Sequence, residues 1–327
     1  MKSLTINRLE SGGLITNYYC SSQCRHCLYA CSPRWEKKYI KMPEAREAFR
    51  KIIELGCYSI HIGGGEPFLN IESLKQVLKT AYEENIRIEY VETNSSWYHD
   101  RAGTVEILSS LKKFGLSTLL ISMSPFHNEY IPFSKVKGVL EACEEAGVYT
   151  FPWVQNFYDD INSFDDTKPH SLDEYLQAFG PDYLRQVPSR VWMHMGGRAI
   201  TLFQESLPGI DTEEIIASSQ PCDELADVTH FHFDCFGNYL PGLCSGMAIA
   251  RSDLGKPLDS GKYPFITILH EQGIGALLEY ARREHEFISK NHYISKCHLC
   301  LDIRKYLVLA MNVQSADLAP EEFYLFT

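Results

Sequence analysis

Three cysteines lie within eight positions of one another, in CSSQCRHC at residues 20 to 27. Their spacing is C-x3-C-x2-C. Thiolates are soft ligands, and a closed tetrahedral site needs four of them. Cys20, Cys24 and Cys27 are one short. Two chemistries fit that count. The triplet can be half of a zinc site, or it can hold three corners of an iron–sulfur cube. In the second case one iron stays open and can chelate a small molecule.

The chain has 11 cysteines. They fall in two groups, with none between Cys143 and Cys222, which suggests two metal centres in two regions. The later group is Cys222, Cys235, Cys244, Cys297 and Cys300. Cys297-x2-Cys300 is a compact clamp that zinc and iron–sulfur sites share. Cys57 and Cys143 sit on helix-end or helix-face patterns and are expected in the core. Cys235 is expected to be a small buried hydrophobe.

Strands alternating with helices must hold these residues in place. GLITNYY (13–19), YSIHIGG (58–64), IRIEYVET (86–93), LSTLLISMS (116–124) and VYTFPWVQ (148–155) read as strands. RVWMHM (190–195) reads as a sixth. Helical spacing recurs over 42–55, 71–85, 104–115, 133–147 and 172–180, with Pro43 suited to a first turn and Gly115 to a stop. Serial strand–helix units imply parallel pairing with right-handed crossovers. The working surface of such folds lies at the carboxyl ends of the strands. The cysteine triplet, GGGEP (63–67), Asn94, Ser122, Ser124, Gln155 and the segment from His194 to Arg198 all occupy those ends. The alternation stops near residue 215. A short hairpin, two helices over 264–287 and a C-x2-C at a helix start follow. The expected domains are therefore 1–215 and 216–327.

Bulk properties narrow the function classes. The 327 residues carry a net charge of −11 with no long block of one sign, which argues against generic nucleic-acid binding. No run of about 18 apolar residues is present, so no membrane span is expected. The opening MKSLTINRLESGG is too polar for a secretory signal. A cytoplasmic protein is the expectation, and clustered cysteines then read as metal ligands rather than disulfides.

C-x3-C-x2-C after the first strand, with GGGEP after the second, resembles the radical S-adenosylmethionine (SAM) superfamily. The likeness covers roughly residues 12 to 200. It implies a partial (β/α)6 TIM-like barrel and a [4Fe-4S] cluster on Cys20, Cys24 and Cys27. SAM would occupy the open iron through its amino and carboxylate groups. The family's enzymes reductively cleave SAM to methionine and a 5′-deoxyadenosyl radical, which abstracts a substrate hydrogen. An external electron donor of flavodoxin or ferredoxin type is implied. By the same likeness Gly64 and Gly65 let backbone approach the ligand, and Glu66 with neighbouring carbonyls accepts from the SAM ammonium. The bland alternative for Glu66 is a carboxylate that starts a helix. Asn94, Ser122 and Ser124 are candidates for the ribose or carboxylate of SAM, or else for caps. Arg198, in MGGRA (195–199), is a candidate grip on the SAM carboxylate, or else a surface ion-pair residue. His26 takes the place of an aromatic that flanks adenine.

The second cysteine group resembles a shortened SPASM/twitch-type domain, a small C-terminal α+β unit. That likeness implies one auxiliary [4Fe-4S] cluster on Cys222, Cys244, Cys297 and Cys300, while the spacing alone also suits zinc. Cys235 can replace Cys244 as ligand, or act with Cys31 as a candidate hydrogen donor to a substrate radical. Relatives of this size with a single auxiliary cluster include enzymes that modify ribosomally made peptides, and among such outcomes epimerisation stands slightly ahead of crosslinking. A peptide is expected to bind at the barrel mouth, with the aromatic-rich stretch 151–164 as a candidate lining. Two alternatives remain: a radical enzyme acting on a sugar or amino acid, and a non-catalytic iron–sulfur or zinc protein with two closed sites.

Overall fold

Five of the six apolar runs form strands in the computed structural model, which describes residues 3–153 and 155–327. They are β1 (Gly12–Ile15), β2 (Ser59–Gly63), β3 (Arg87–Thr93), β4 (Thr118–Ser122) and β5 (Tyr149–Trp153). All pair in parallel, in the order β5-β4-β3-β2-β1. Their centres are apolar because parallel strands are covered on both faces. Ile60, Ile62, Val91, Leu119 and Ile121 are all 0% exposed. Truncating one of them, as in Ile62→Ala, costs about 2–5 kcal/mol through lost burial and the cavity left behind. The expected fifth strand also included Val154, which lies outside the described residues.

The connecting helices follow their spacing. In α1 (Met42–Glu54), Pro43 occupies the first turn, and Ala45, Ala48, Phe49 and Ile52 form the buried stripe. Asn70 caps α2 (Ile71–Glu83) by accepting from Ser73 N, and Leu74, Val77, Leu78 and Ala81 are buried. Asp100 caps α3 (Arg101–Lys112) through Gly103 N. A one-turn α4 (Pro125–Asn128) precedes α5 (Phe133–Ala146), which Gly147 ends with φ 62°. After β5 come α6 (Tyr158–Asn162), α7 (Leu172–Phe179) and α8 (Tyr183–Arg190).

The sixth expected strand does not form. Residues 191–196 carry no strand, and Arg190 still belongs to α8. The Arg190 guanidinium holds that end in place, bonding Asp160 at 2.6 Å and stacking 4.4 Å from the Phe157 ring centre. Trp192, within that stretch, is 68% exposed.

Contacts divide the chain into two units. The parallel-sheet unit comprises Gly13–Cys24 and Cys31–Met193. The C-terminal unit comprises Met1–Gly12, Arg25–Ala30 and His194–Thr327. Within it, β6 (Ile210–Asp211) lies antiparallel to β10 (His292–Tyr293), which ties the stretch before residue 216 to the later one. This unit also holds α9 (Arg198–Phe203), α10 (Thr212–Ser218) and the antiparallel strands β7 (Phe231–Phe233), β8 (Asn238–Leu240) and β9 (Ile249–Ala250). The expected hairpin is β7–β8. Helices α11 (Pro264–Gln272) and α12 (Ile274–His285) match the two expected over 264–287. The C-x2-C opens α13 (Lys296–Leu309), and α14 (Glu321–Phe326) follows. Among the described residues no helix is long and apolar enough to cross a membrane.

Candidate functional site: a strand-end cradle and a four-cysteine cavity

The first strand ends early because residues 16 to 19 turn to meet the GGGEP loop. Thr16 N donates to Gly63 O at 2.9 Å, Gly65 N to Asn17 O at 2.6 Å and Glu66 N to Tyr19 O at 3.2 Å. The Asn17 amide donates to Tyr19 O at 2.6 Å. This close approach requires two of the glycines. A Cβ on Gly65 would stand 2.1 Å from Tyr19 O. Gly64 has φ +154°, and its Cβ would meet Asn17 Oδ1 at 2.6 Å. The room left by these missing side chains is taken by Tyr19 O and by the Asn17 side chain and backbone.

Glu66 is 0% exposed. Its carboxylate accepts from Phe68 N at 3.0 Å, Asn94 N at 2.6 Å and the Thr93 hydroxyl at 3.1 Å. It therefore caps the 3-10 turn Pro67–Asn70 and clamps the end of β2 to the end of β3. The bland reading of this residue is thus realised. Burial pushes its carboxyl up to about 7, while the three donors pull the other way. Beneath it, Trp97 Nε1 donates to the Thr93 hydroxyl at 2.8 Å and Trp97 stacks on Phe68. The Tyr39 hydroxyl donates to the carbonyls of Glu66 and Pro67.

The clamp fixes Asn94. Its backbone N–H is held by Glu66, and its side-chain Nδ2 points at Cys20 Sγ, 3.4 Å away. Ser22 N also donates to Cys20 Sγ at 3.4 Å. Cys20 and Cys24 are buried, at 6% and 8% exposed. Cys20 N donates to Ser32 O at 3.2 Å, so the loop returns on itself beside Cys31, which is 3% exposed. Ser122 ends β4 half-buried, and buried Ser124 has its hydroxyl 2.7 Å from His127 Nδ1. Burial pulls His127 down to about 4, so it is neutral at pH 7.

Residues 25–30, with His26 and Cys27, belong to the C-terminal unit. There the MGGRA segment lies against them. Arg198 N donates to Cys27 O at 3.1 Å. Gly197 has φ +51°, and its Cβ would stand 2.2 Å from Leu28 O and 2.6 Å from Cys27 O. Only glycine lets the two backbones meet this way. Arg198 itself is 7% exposed, and its Nη1 reaches Phe326 O at 3.4 Å. It is not a surface residue.

The C-terminal unit gathers the other cysteines. Cys222 precedes a 3-10 turn, Cys244 follows β8, and Cys297 and Cys300 share the first turns of α13, which Ser295 caps. All four line one cavity, with Lys296 and Arg304. The Cys244 thiol is raised first by its hydrogen bond with Cys222 and then by burial. Burial, then the charges of Cys300 and Cys222, push the Cys297 thiol up to about 12. Without a bound cation these groups stay protonated, and a metal centre would displace those protons. Lys296 pairs with Glu224 at 3.0 Å, and the Cys222 thiol donates to Glu224 at 3.1 Å. Among the described residues no three His, Cys, Asp or Glu side chains gather tightly enough to hold a single metal ion. Cys235, 5% exposed at the β7–β8 turn, is not among the cavity residues. Cys57 and Cys143 are buried, as expected.

The aromatic stretch 151–164 divides. Phe151 is 52% exposed and meets Tyr90 edge-on, whereas Phe157 and Ile161 are buried. Sequence reasoning missed Asn17, Thr93, Lys296 and Arg304. For Arg304 a signal existed: it follows Cys300 by one helical turn.

Residues 14–178, about half of the chain, match the Radical SAM superfamily. YydG of Bacillus subtilis (strain 168), named as a peptide biosynthesis protein, is 28% identical over 128 residues. That match covers 37% of this chain and 38% of YydG, so the chain spans under two fifths of this relative. Native anSMEcpe with bound AdoMet is 12% identical over 93% of this chain and 98% of that one, with a TM-score of 0.47. Streptococcus suis SuiB, bound to precursor peptide SuiA, is 15% identical over 95% of this chain and 74% of that one, with a TM-score of 0.36.

Proposed function

Because the chain belongs to the radical SAM superfamily, we propose that it is a radical SAM enzyme acting on a ribosomally made peptide. Epimerisation stands slightly ahead of crosslinking as the outcome. Cys20, Cys24 and Cys27 would hold the [4Fe-4S] cluster, and Gly64, Gly65, Asn94, Ser122, Ser124, Arg198 and His26 belong to the surface for SAM. The bound cluster and SAM supply reductive cleavage of the sulfonium and hydrogen abstraction. An electron donor of flavodoxin or ferredoxin type would feed that cleavage.

The observation that carries this reading is the Asn94 amide on Cys20 Sγ, held there by the buried Glu66 carboxylate. Donors to a cluster's cysteine sulfurs orient the ligand and tune the metal. Glu66 supports the site through Asn94 and the loop backbone, and with its neighbouring carbonyls it stays a candidate acceptor for the SAM ammonium. The thiols fit an iron–sulfur centre: Cys20 and Cys24 are buried in the loop that follows the carboxyl end of β1, and Cys27 is half-buried.

The four-cysteine cavity supports an auxiliary [4Fe-4S] cluster on Cys222, Cys244, Cys297 and Cys300. Four thiols around one cavity match the ligand count of a cysteine-held iron–sulfur cube, while the same set also suits tetrahedral zinc. The peptide substrate is supported by the similarity to YydG. Cys31 and Cys235 remain the candidate hydrogen donors.

The test is anaerobic reconstitution with iron and sulfide, followed by SAM, dithionite and any short peptide that a frame neighbouring the gene is found to encode. Formation of 5′-deoxyadenosine together with a modified peptide is expected. An epimerised product formed in D2O should carry one deuterium. A fully loaded protein that makes no 5′-deoxyadenosine with peptide present would overturn the reading.

A further inference from the structure

The C-terminal unit buries a whole positive charge beside its cysteines. Arg304 lies one turn after Cys300 on α13 and is 6% exposed. Its Nη1 donates to Ser245 O and to the Tyr324 hydroxyl, both at 3.0 Å. Its Nε–H is buried and has no hydrogen-bond partner among the described residues. The guanidinium lies against the Cys300 sulfur, within charge range of Cys244, and lines the cavity of the four cysteines. The cavity's other cation, Lys296, is already paired with Glu224.

A buried guanidinium needs a counter-charge, and a buried N–H needs an acceptor. Here Ser245 O, the Tyr324 hydroxyl and the Cys300 side chain take up the other guanidinium contacts and leave the Nε–H without an acceptor. Four thiolates on an iron–sulfur cube supply what is missing, since the assembly is net negative and its sulfurs accept hydrogen bonds. Reduction adds one more electron to that centre. A fixed positive charge in a low-dielectric pocket favours the reduced state, and an N–H donated to sulfur acts in the same direction.

We infer that Arg304 is a positioning residue that donates Nε–H to a sulfur of the auxiliary cluster and raises that cluster's reduction potential. The inference rests on the reading above that a cluster occupies this cavity. It assigns to one residue of α13 a redox role separate from holding the fold.

The two are tested separately in the full-length chain. Replacing Cys20, Cys24 and Cys27 together with alanine leaves only the C-terminal site to report. Anaerobic reconstitution of that variant should give four irons and four sulfides; zinc, or no iron, sinks the cluster reading and the inference with it. With the cluster present, an EPR-monitored titration with dithionite and mediators gives its potential. Arg304→Gln should lower the reduced-to-oxidised ratio at a fixed potential at least tenfold, which is about 59 mV for one electron. Arg304→Lys keeps the charge but not the Nε–H, so it should restore most of the potential while altering the EPR signal. An unchanged potential in a loaded Arg304→Gln variant refutes the role. Should that variant fail to load, an Arg304→Lys protein with wild-type potential and signal refutes it instead.

Discussion

The Asn94 side-chain amide stands 3.4 Å from Cys20 Sγ, while the Asn94 backbone N–H bonds the buried Glu66 carboxylate at 2.6 Å. One residue thus links the GGGEP loop to the first cysteine of the triplet. Loss of a comparable outer-shell donor in metal sites lowers affinity or activity about 10–100-fold. Asn94→Ala should still fold, and its rate of 5′-deoxyadenosine formation should fall by about that factor. A rate within twofold of wild type would remove Asn94 from the site.

Glu66 gives the fold a pH dependence of known sign. Its carboxyl is raised from the usual range to about 7 by burial. The folded state therefore binds more protons than the unfolded state between about pH 4.5 and 7. Stability from this group is complete below that window and is lost as pH rises through it, by about 3 kcal/mol in total. Urea unfolding at pH 5 and pH 8 measures the slope. Glu66→Gln cannot accept from all three donors and should lose about 1–3 kcal/mol at pH 5, with a flatter profile.

Gly197 sets the backbone at Cys27. With φ +51° and a notional Cβ 2.2 Å from Leu28 O, Gly197→Ala must push the two segments apart. Overpacking and the left-handed φ together cost about 2–4 kcal/mol. Because Cys27 O sits at the same contact, iron bound at the triplet should drop in this variant. Gly103→Ala is the matched control: it lies inside α3, its nearest neighbour to a Cβ is at 3.3 Å, and it should keep its iron.

Among the later cysteines, Cys300→Ala and Cys244→Ala should each lose the auxiliary iron and leave the triplet's iron in place. Cys235→Ala should lose none, because Cys235 does not line the cavity. Iron and sulfide counts on purified variants decide the point. Loss of iron in Cys235→Ala would move the ligand set to the β7–β8 turn.

Much of this was legible in the residue order. Ala45, Ala48, Phe49 and Ile52 repeat at helical spacing, and the runs around Ile60, Val91 and Leu119 are apolar enough to be parallel strands. Local periodicity reports burial, and burial fixes those elements. The stretch RVWMHM failed by the same logic: a strand exists only with a partner, and the Arg190–Asp160 pair keeps its first residue helical. The pairing of β6 with β10, far along the chain, was likewise beyond the reach of local periodicity.

What the amino-acid sequence determined alone is the inventory: which thiols, which glycines, which strand ends, and hence the family chemistry they suit. What only the tertiary structure decided is how they act on one another. Glu66 as a clamp on Asn94, Gly65 as a seat for Tyr19 O, and Arg304 as a buried charge against Ser245 O and Tyr324 are not encoded by spacing. Hydrogen bonds and charges work through space over a few ångströms, and the partners here lie tens of residues apart until the chain folds.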